Sequence, residues 1–324
     1  MGAPLFPFDA PVSRCTMARQ MLATLKKIPL WVRAAPRKLN LCWRVLRAPY
    51  FKWVLPGHFY SPLPDMADVA QRSPVLFAPP PAALPGIDLR PEGQALLLKE
   101  FEVFYAHLPF ERTHNPQSRF SRPNGSFPFQ DAFALHAMIR RFKPARMIEV
   151  GCGFSSCVIL DTCEALKLNT RLTFIEPYPA TLLAHVRPED RRRFELRQEI
   201  IQNAPLDLFA TLQAGDILFI DTSHVSKIGS DVNFIFFEIL PVLKPGVVVH
   251  FHDMFYPFEY PVEWLRKGMF WNEAYVLRAF LMFNPGFEIL LFNSYLNHSM
   301  PDVIRSRFPL SWEDPGTSLW LRRA

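Results

Sequence analysis

Two short segments each combine a carboxylate with an imidazole, the side chains that most often move protons or hold metal ions near neutral pH. They are Asp221-Thr-Ser-His224 and His250-Phe-His-Asp253. A histidine can accept a proton from a hydroxyl group as a general base, and a divalent cation held by such residues can instead lower the pKa of that hydroxyl. We therefore expect His224, His252 and Asp253 to be catalytic.

A glycine turn lies near the middle of the chain, in Met147-Ile-Glu-Val-Gly-Cys-Gly-Phe-Ser-Ser156. The order of a short apolar run, two glycines and a helix-compatible segment predicts a strand, a tight turn and a helix start. Gly151 and Gly153 lack the Cβ atoms that would keep the backbone away from a ligand. Ser155 or Ser156 can cap the helix, whose free N–H groups point to the same place. This turn is typical of a small-molecule site.

Two acids indicate the kind of ligand. Glu149 precedes the first glycine by two residues, and Glu176 closes the next apolar run, where a carboxylate can accept bonds from two ribose hydroxyls. The third glycine of the dinucleotide motif, which admits a pyrophosphate, is replaced by Ser156. An acid this close to the turn also repels pyrophosphate, so a cationic ligand fits better.

The elements that position these groups alternate between strands and helices from Arg146 onward, which predicts an α/β fold with a doubly wound parallel sheet. Ligands of such sheets lie beyond the carboxyl ends of the strands. His250 lies deeper in its strand than His252 and is expected to be a core residue. The predicted strands are residues 147–150, 172–175, 194–198, 216–221, 247–251, 287–292 and 318–321.

This pattern resembles the class I S-adenosylmethionine-dependent methyltransferases. Their acid-x-G-x-G turn is matched by Glu149-Val-Gly-Cys-Gly153, and their acid at the end of strand two is matched by Glu176. The resemblance covers roughly residues 131–321 and implies a Rossmann-like seven-stranded sheet, closed by an antiparallel pair, that binds S-adenosyl-L-methionine. The cofactor contacts it implies are Glu149, Gly151, Cys152, Gly153, Ser155, Ser156, Glu176, Pro177 and Asp221.

The resemblance also bears on the reaction. Catechol-type members hold a divalent metal at the ends of strands four and five, which implies Asp221, His252 and Asp253 as ligands of Mg or Mn. An Asp-Asn or Asp-Asp pair is usual where this chain has His252-Asp253, so a metal and a histidine base both stay open. Similarity to small-molecule methyltransferases of polysaccharide and natural-product pathways implies O-methylation of a hydroxylated small molecule or a sugar.

Two other functions remain as alternatives. Asp221, His224 and His252 could form the two-histidine, one-carboxylate set of a metal-dependent oxygenase or hydroxylase. A non-catalytic protein could instead keep the cofactor pocket and dock through a basic arm. Oxygen and iron dependence would identify the first, and tolerance of His252→Ala and Asp253→Ala would identify the second.

Composition divides the 324 residues into three predicted regions. Residues 1–56 form a basic amphipathic extension, residues 57–130 a proline-rich cap and residues 131–324 the methyltransferase domain. Residues 1–64 contain ten Lys or Arg and one acid, Asp9. The extension is expected to lie on an anionic membrane surface, to pack on the core or a partner subunit, or to be a disordered leader. The remaining residues carry a slight excess of acid, which argues against nucleic acid as a partner.

Cysteine content and hydropathy indicate where the protein is located, and two further segments are candidate pocket walls. Five cysteines without a C-x-x-C pair, and no signal peptide or apolar run of about 18–20 residues, favour the cytoplasm, with peripheral membrane contact left open. Residues 129–131 are candidate contacts of the methionine part of the cofactor or plain packing residues. The aromatic stretch 254–261, with Trp264, Trp271, Asn272, Glu273 and Tyr275, is a candidate acceptor pocket or loop packing.

Overall fold

The computed structural model describes residues 53–110 and 118–324, together with residues 39, 40, 42, 43 and 47. The chain divides into two compact units, residues 1–71 and 72–324. In the first unit, the rings of Trp53 and Tyr60 stack with centroids 5.0 Å apart. The second unit contains the sheet and both carboxylate–imidazole segments. The predicted extension, residues 1–56, lies almost entirely outside the described residues.

Seven strands form one sheet in the order β3-β2-β1-β4-β5-β7-β6. Neighbours among β1 to β5 are parallel, whereas β7 runs antiparallel to both β5 and β6. The predicted α/β sheet is confirmed, with every strand within two residues of its expected bounds. The strands are β1 (Arg146–Val150), β2 (Arg171–Ile175), β3 (Phe194–Arg197), β4 (Ile217–Ile220), β5 (Val248–Phe251), β6 (Phe287–Phe292) and β7 (Leu319–Arg323).

The central strands are unbroken apolar runs because both faces of the sheet are covered. Along β4, Ile217 and Phe219 pack into the core on one face, and Leu218 and Ile220 pack into the core on the other. All four side chains are at most 1% exposed. Burying each of them stabilises the fold by roughly 1.5–3 kcal/mol, which fixes the strand ends that carry the polar segments.

Helices cover both faces of the sheet. The helical segment between β4 and β5 is not regular, because a wider π-helical turn, Ile235–Ile239, lies between two α-helical pieces. It precedes Pro241, whose ring would clash with the carbonyl four residues earlier in a regular α-helix.

The helices are α1 (Met66–Leu76), α2 (Pro91–Tyr105), α3 (Phe129–Phe142), α4 (Phe154–Ala165), α5 (Ala180–His185), α6 (Leu206–Ala210), α7 (Asp231–Phe234), α8 (Leu240–Val242), α9 (Val262–Arg266), α10 (Glu273–Leu281), α11 (Asn293–Ser299), α12 (Pro301–Arg307) and α13 (Pro309–Glu313). In the part of the chain that is described, no helix combines the length and apolar character needed to cross a membrane.

Two polar clusters fix the segment that leads into α3. The Arg119 guanidinium is 2% exposed and forms ion pairs with Asp161 of α4 at 2.7 Å and with Asp190 at 2.5 Å. Further along, the Asn124 side chain accepts bonds from the backbone N–H groups of Ser126 (3.0 Å) and Phe127 (2.7 Å). The ion pairs attach the start of this segment to α4, and the Asn124 bonds fix its turn, with Ser126 and Phe127 beside the glycine turn.

Candidate active site

The glycine turn after β1 is held by the ends of both adjacent strands, β2 and β4. The Gly151 N–H donates to Ile175 O (3.0 Å), and the Asp221 N–H donates to Val150 O (2.8 Å). Gly151 has a φ of 81°, and a Cβ placed on it would lie 2.0 Å from Asp221 O. No other residue fits this position without moving the ends of β1 and β4 apart. The glycine predicted from the motif is therefore required by the backbone.

Glu149 lies beneath this turn and is fully buried. Its Oε2 accepts a 2.5 Å hydrogen bond from Ser156 Oγ, whereas Oε1 has no partner among the described residues. Ser156 Oγ in turn accepts from the Gly153 N–H at 3.1 Å. Burial raises the pKa of the Glu149 carboxyl to about 8. A ligand that brings a hydrogen-bond donor or a positive charge would satisfy Oε1 and favour the ionised form of this buried carboxyl.

Two adjoining cavities lie above the turn, along the carboxyl edge of the sheet. The first, about 370 Å³, is bounded by Glu176, Pro177 and the stretch Ile200 to Gln202. The second, about 260 Å³, is bounded by the residues Gly151 to Ser155. Both are also lined by Gly151, Glu176 and Asp221, so they form one groove across the ends of β1, β2 and β4. Sequence reasoning identified its acids and glycines but not the wall at residues 200–202.

The predicted cofactor residues meet in this groove, with two in supporting positions. Glu176 is half-buried, and its carboxylate accepts a 2.7 Å bond from the Tyr178 N–H. Cys152 is half-buried, and burial raises the pKa of its thiol, so the thiol remains protonated at neutral pH. Ser155 borders the groove, whereas Ser156 is fully buried and, with Glu149, supports the turn from beneath.

At the end of β4, His224 is fixed by contacts on both ring nitrogens. Nδ1 donates to Glu273 Oε2 at 2.8 Å, and Nε2 lies 3.2 Å from Asp221 Oδ1. The ring also stacks on Trp271, with centroids 4.1 Å apart. Burial alone would lower the pKa of His224, but the bonds to Asp221 and Glu273 outweigh it and raise the pKa to about 10. His224 is thus an imidazolium at neutral pH.

Of the two roles considered for Glu273, pocket wall or packing, the structure agrees with packing, because Glu273 lies buried beneath His224. Its side chain is 1% exposed, and its Oε2 also accepts a 2.8 Å bond from Thr222 Oγ1. The N–H groups of Asn272 and Glu273 donate to His224 O at 3.0 and 3.2 Å. The start of α10 therefore holds residues 222–224 in place. Sequence spacing could not reveal a pairing between residues 49 positions apart.

His252 and Asp253 follow β5 on the other side of the same cluster. The Asp253 carboxylate is 20% exposed, and its Oδ1 accepts a 3.0 Å bond from Thr317 Oγ1. His252 Nε2 lies 3.8 Å from Asp253 Oδ1, and His224 Nε2 lies 3.8 Å from Asp253 Oδ2. The structure thus brings together Asp221, His224, His252 and Asp253.

The electrostatics of these two residues favour different roles. Burial would lower the pKa of His252, but the charges of Asp253, Asp221 and Asp131 outweigh burial and raise it. Burial raises the pKa of Asp253, and the positive charges of His252 and His224 only partly offset this. A carboxylate with a raised pKa and partial exposure is better placed to accept a proton from a ligand than a buried imidazole surrounded by carboxylates.

His250 is a core residue, as expected. Its ring is fully buried and stacks on Phe219, with centroids 3.8 Å apart, and its Nε2 is 2.9 Å from Ser318 Oγ. Burial lowers the pKa of His250 well below its ordinary value, so the ring is neutral. A neutral histidine with this hydrogen bond can remain in an apolar interior.

No group of three or more His, Cys, Asp or Glu side chains in the described residues is arranged to hold a metal ion. The proposed metal ligands Asp221 and Asp253 both approach the same atom, His224 Nε2. The imidazolium thus supplies the positive charge between these two acids. For the same reason, Asp221, His224 and His252 do not fit an oxygenase metal set, because both His224 nitrogens face carboxylates.

Residues 129–131 are buried and pack α3 onto neighbouring segments. Phe129 is fully buried, and the Asp131 carboxylate accepts bonds from Asn293 Nδ2 (2.8 Å), the Thr317 N–H (3.0 Å) and the Ser318 N–H (2.8 Å). These bonds attach α3 to the chain that enters β7. A contact between these residues and the cofactor, one of the two roles considered above, does not agree with this geometry.

Comparison with known proteins agrees with this architecture. A family model described as a methyltransferase domain matches residues 148–254, from the glycine-turn strand to the end of the His252-Asp253 segment. An uncharacterized protein of Archaeoglobus fulgidus is 33% identical over 165 residues, which are 49% of this chain and 73% of that protein. Residues 148–254 are therefore a methyltransferase domain, in agreement with the resemblance to the class I S-adenosylmethionine-dependent methyltransferases.

Two solved structures are similar at low sequence identity. The methyltransferase PaMTH1 of Podospora anserina, bound to SAH, has a TM-score of 0.40 and 16% identity, covering 84% of this chain and 98% of that one. The O-methyltransferase TomG of Streptomyces achromogenes, in complex with SAM, has a TM-score of 0.37 and 14% identity, covering 80% and 96%.

Proposed function

We propose that this protein transfers a methyl group from S-adenosyl-L-methionine to a hydroxyl of a small molecule, a sugar included. The observation that carries the proposal is the continuous groove from Glu176 past Gly151 to Asp221, which ends beside the histidine and aspartate cluster. The family of the chain supports the same reaction.

The residues of the groove fit the cofactor. The Glu176 carboxylate lies where it can accept hydrogen bonds from ribose hydroxyls, with Pro177 beside it. The turn from Gly151 to Ser155 leaves its backbone free to approach the amino acid part of the cofactor. The unpaired Oε1 of Glu149 suits a positively charged ligand rather than a pyrophosphate.

Proton transfer falls to the residues at the ends of β4 and β5. The bound cofactor would supply an electrophilic methyl group on a sulfonium sulfur. The acceptor oxygen must lose its proton as it takes that methyl group, and Asp253 is the partly exposed group with a raised pKa. His224, fixed between Asp221 and Glu273, keeps its proton and balances the negative charge around it. The metal set Asp221, His252 and Asp253 has no support from this arrangement, so we assign no step to a metal.

Calorimetric binding of S-adenosyl-L-methionine and S-adenosylhomocysteine to the full chain tests the proposal. Both should bind without added metal, and Glu176→Gln should weaken binding by about 10- to 100-fold, because a charged hydrogen-bond acceptor is lost. The matched control is Glu189→Gln, an exposed acid outside the groove, which should bind as the wild type does. If neither compound binds with EDTA, Mg²⁺ or Mn²⁺ present, the proposed function is wrong.

We propose that the protein is cytoplasmic and that its basic extension binds an anionic membrane surface or a partner subunit. Ten cations among residues 1–64, mixed with tryptophans and leucines, support this role. Sedimentation with phosphatidylserine vesicles, compared with phosphatidylcholine vesicles at low and high salt, tests it. Equal recovery with both lipids would refute membrane contact.

A further inference from the structure

A third cavity, of about 430 Å³, opens beside Asp253 and has no part in the cofactor groove described above. It adjoins the glycine-turn cavity, because Ser126 and Phe127 line both. A molecule in this cavity would therefore lie next to the end of the groove where the His252-Asp253 segment ends. On the proposed function, this is where the methyl acceptor binds.

Arg122 and Asp314 form an ion pair at the wall of this cavity. Arg122 Nη2 lies 2.8 Å from Asp314 Oδ2, and the guanidinium packs on the ring of Phe129 at 4.7 Å from its centroid. Arg122 Nε is buried and has no hydrogen-bond partner among the described residues. Asp314 Oδ2 also accepts a 2.9 Å bond from the Phe129 N–H, which fixes the carboxylate. The Arg122 side chain is 16% exposed and lines the cavity, so its remaining guanidinium N–H groups can donate to a molecule bound there.

The charge balance of the cavity disfavours an anionic acceptor. Asp253 and Asp314 contribute two carboxylates to its wall, whereas Arg122 contributes one cation that Asp314 already balances. A carboxylate or phosphate on the ligand would be repelled by these two carboxylates, and the Arg122 guanidinium, which already pairs with Asp314, would not offset the repulsion. Neutral hydroxyl groups meet no such cost, because they can accept a bond from Arg122 and donate bonds to the acids.

Phe255 and Trp264 give the same cavity an apolar surface on which a ring can pack. Their rings contact edge to face, with centroids 5.0 Å apart, and both residues are half-buried. Trp264 also packs against Trp271, which stacks on His224. A saccharide ring has C–H faces that pack on aromatic rings and an equatorial rim of hydroxyls that need polar partners.

We propose that this cavity binds a neutral saccharide unit as the methyl acceptor. Arg122 and Asp314 recognise neighbouring hydroxyls, and Phe255 and Trp264 pack against the ring. A flat catechol-type diol would fill the aromatic wall but leave the Arg122 donor unpaired, and an acidic sugar would meet the carboxylates. The inference rests on the proposed function, because it takes the groove to be the cofactor site.

Saturation-transfer NMR on the full chain, saturated with S-adenosylhomocysteine, tests the inference. The probes are the methyl glycosides of glucose, galactose and mannose, the matched methyl glucuronide, and catechol. We expect at least one neutral glycoside to bind more tightly than the glucuronide and catechol. Arg122→Gln should weaken that glycoside by about tenfold or more, through the loss of a charged donor, with the affinity for S-adenosylhomocysteine unchanged.

Two further variants make the test specific. Arg141→Gln removes an exposed arginine of α3 that pairs with Glu100, and it should bind the glycoside as the wild type does. Trp264→Ala should weaken the glycoside without affecting S-adenosylhomocysteine. Preference for catechol or the glucuronide, binding of no neutral glycoside, or unchanged glycoside binding in both Arg122→Gln and Trp264→Ala would overturn the inference. Failure of the wild type to bind S-adenosylhomocysteine would instead count against the proposed function.

Discussion

Replacing Gly151 by alanine should separate the two reasons for a glycine in the turn. The first is its φ of 81°, which costs an alanine about 1–2 kcal/mol because the Cβ approaches the following carbonyl oxygen. The second is the carbonyl oxygen of Asp221, which would lie 2.0 Å from the new Cβ. Because this neighbour is backbone in an adjacent strand end, it can yield only if β1 and β4 move apart, at an expected cost of about 1–3 kcal/mol more.

Gly268 provides the matched control. It has the same φ of 81°, but a Cβ placed on it would meet nothing within 4 Å. Gly268→Ala should therefore show the conformational cost alone, a loss of about 1–2 kcal/mol. Gly151→Ala should lose about 2–5 kcal/mol in total, since both costs apply.

Urea denaturation of both variants, followed by calorimetry with S-adenosyl-L-methionine, measures the two effects. We expect Gly151→Ala to lose both stability and cofactor affinity, and Gly268→Ala to keep wild-type affinity. Equal unfolding free energies for the two variants would show that β1 and β4 are not in contact through this turn. Retained affinity in Gly151→Ala would refute the role of the turn in cofactor binding.

Two other predictions concern buried charges. The raised pKa of His224 stabilises the fold fully below about pH 6.5, and this stability is lost as the pH rises toward about 10. Glu273→Gln should therefore lose less unfolding free energy between pH 7 and 10 than the wild type, measured by urea denaturation at each pH. The exposed Glu263→Gln is the control. The same dependence of unfolding free energy on pH in Glu273→Gln and the wild type would contradict the raised pKa of His224. Arg119→Gln leaves buried acids unpaired and should lower the unfolding free energy by about 3–5 kcal/mol. Arg171→Gln, in an exposed 3.9 Å pair, should cost less than about 1 kcal/mol, and equal losses in the two arginine variants would contradict the role of the buried network.

The strands could be predicted because burial on both faces leaves a local signal. In a chain that alternates strands and helices, a short apolar run between two acids, such as Ile217-Leu-Phe-Ile220, indicates a buried strand. The π-helical turn at residues 235–239 was not predictable in this way, because its apolar residues suit a regular helix equally well. Only the nearby Pro241 indicated a departure from α-helical geometry.

Candidate-site residues that lie in a motif or at a predicted strand end could be named from the sequence, whereas contacts between distant segments could not. Glu149, Gly151, Glu176 and the two strand-end segments follow from position along the chain, since parallel strands end at one edge. Glu273 beneath His224 could not be foreseen, because that contact depends on how the start of α10 packs against the end of β4. The pairing of Arg122 with Asp314 depends likewise on the route of chain outside the sheet.

His224 and Asp253 have φ values of 59° and 55°, which non-glycine residues seldom adopt. Both strained positions lie at strand ends, whereas the proposed acceptor cavity is walled largely by residues outside the sheet, namely residues 122–128, Phe255, Trp264, Asp314, Pro315 and Thr317. A directed-evolution library for new acceptors should therefore vary those segments and keep the strand ends unchanged. Such a library could change which hydroxyl compound is selected while retaining the fold that activates it.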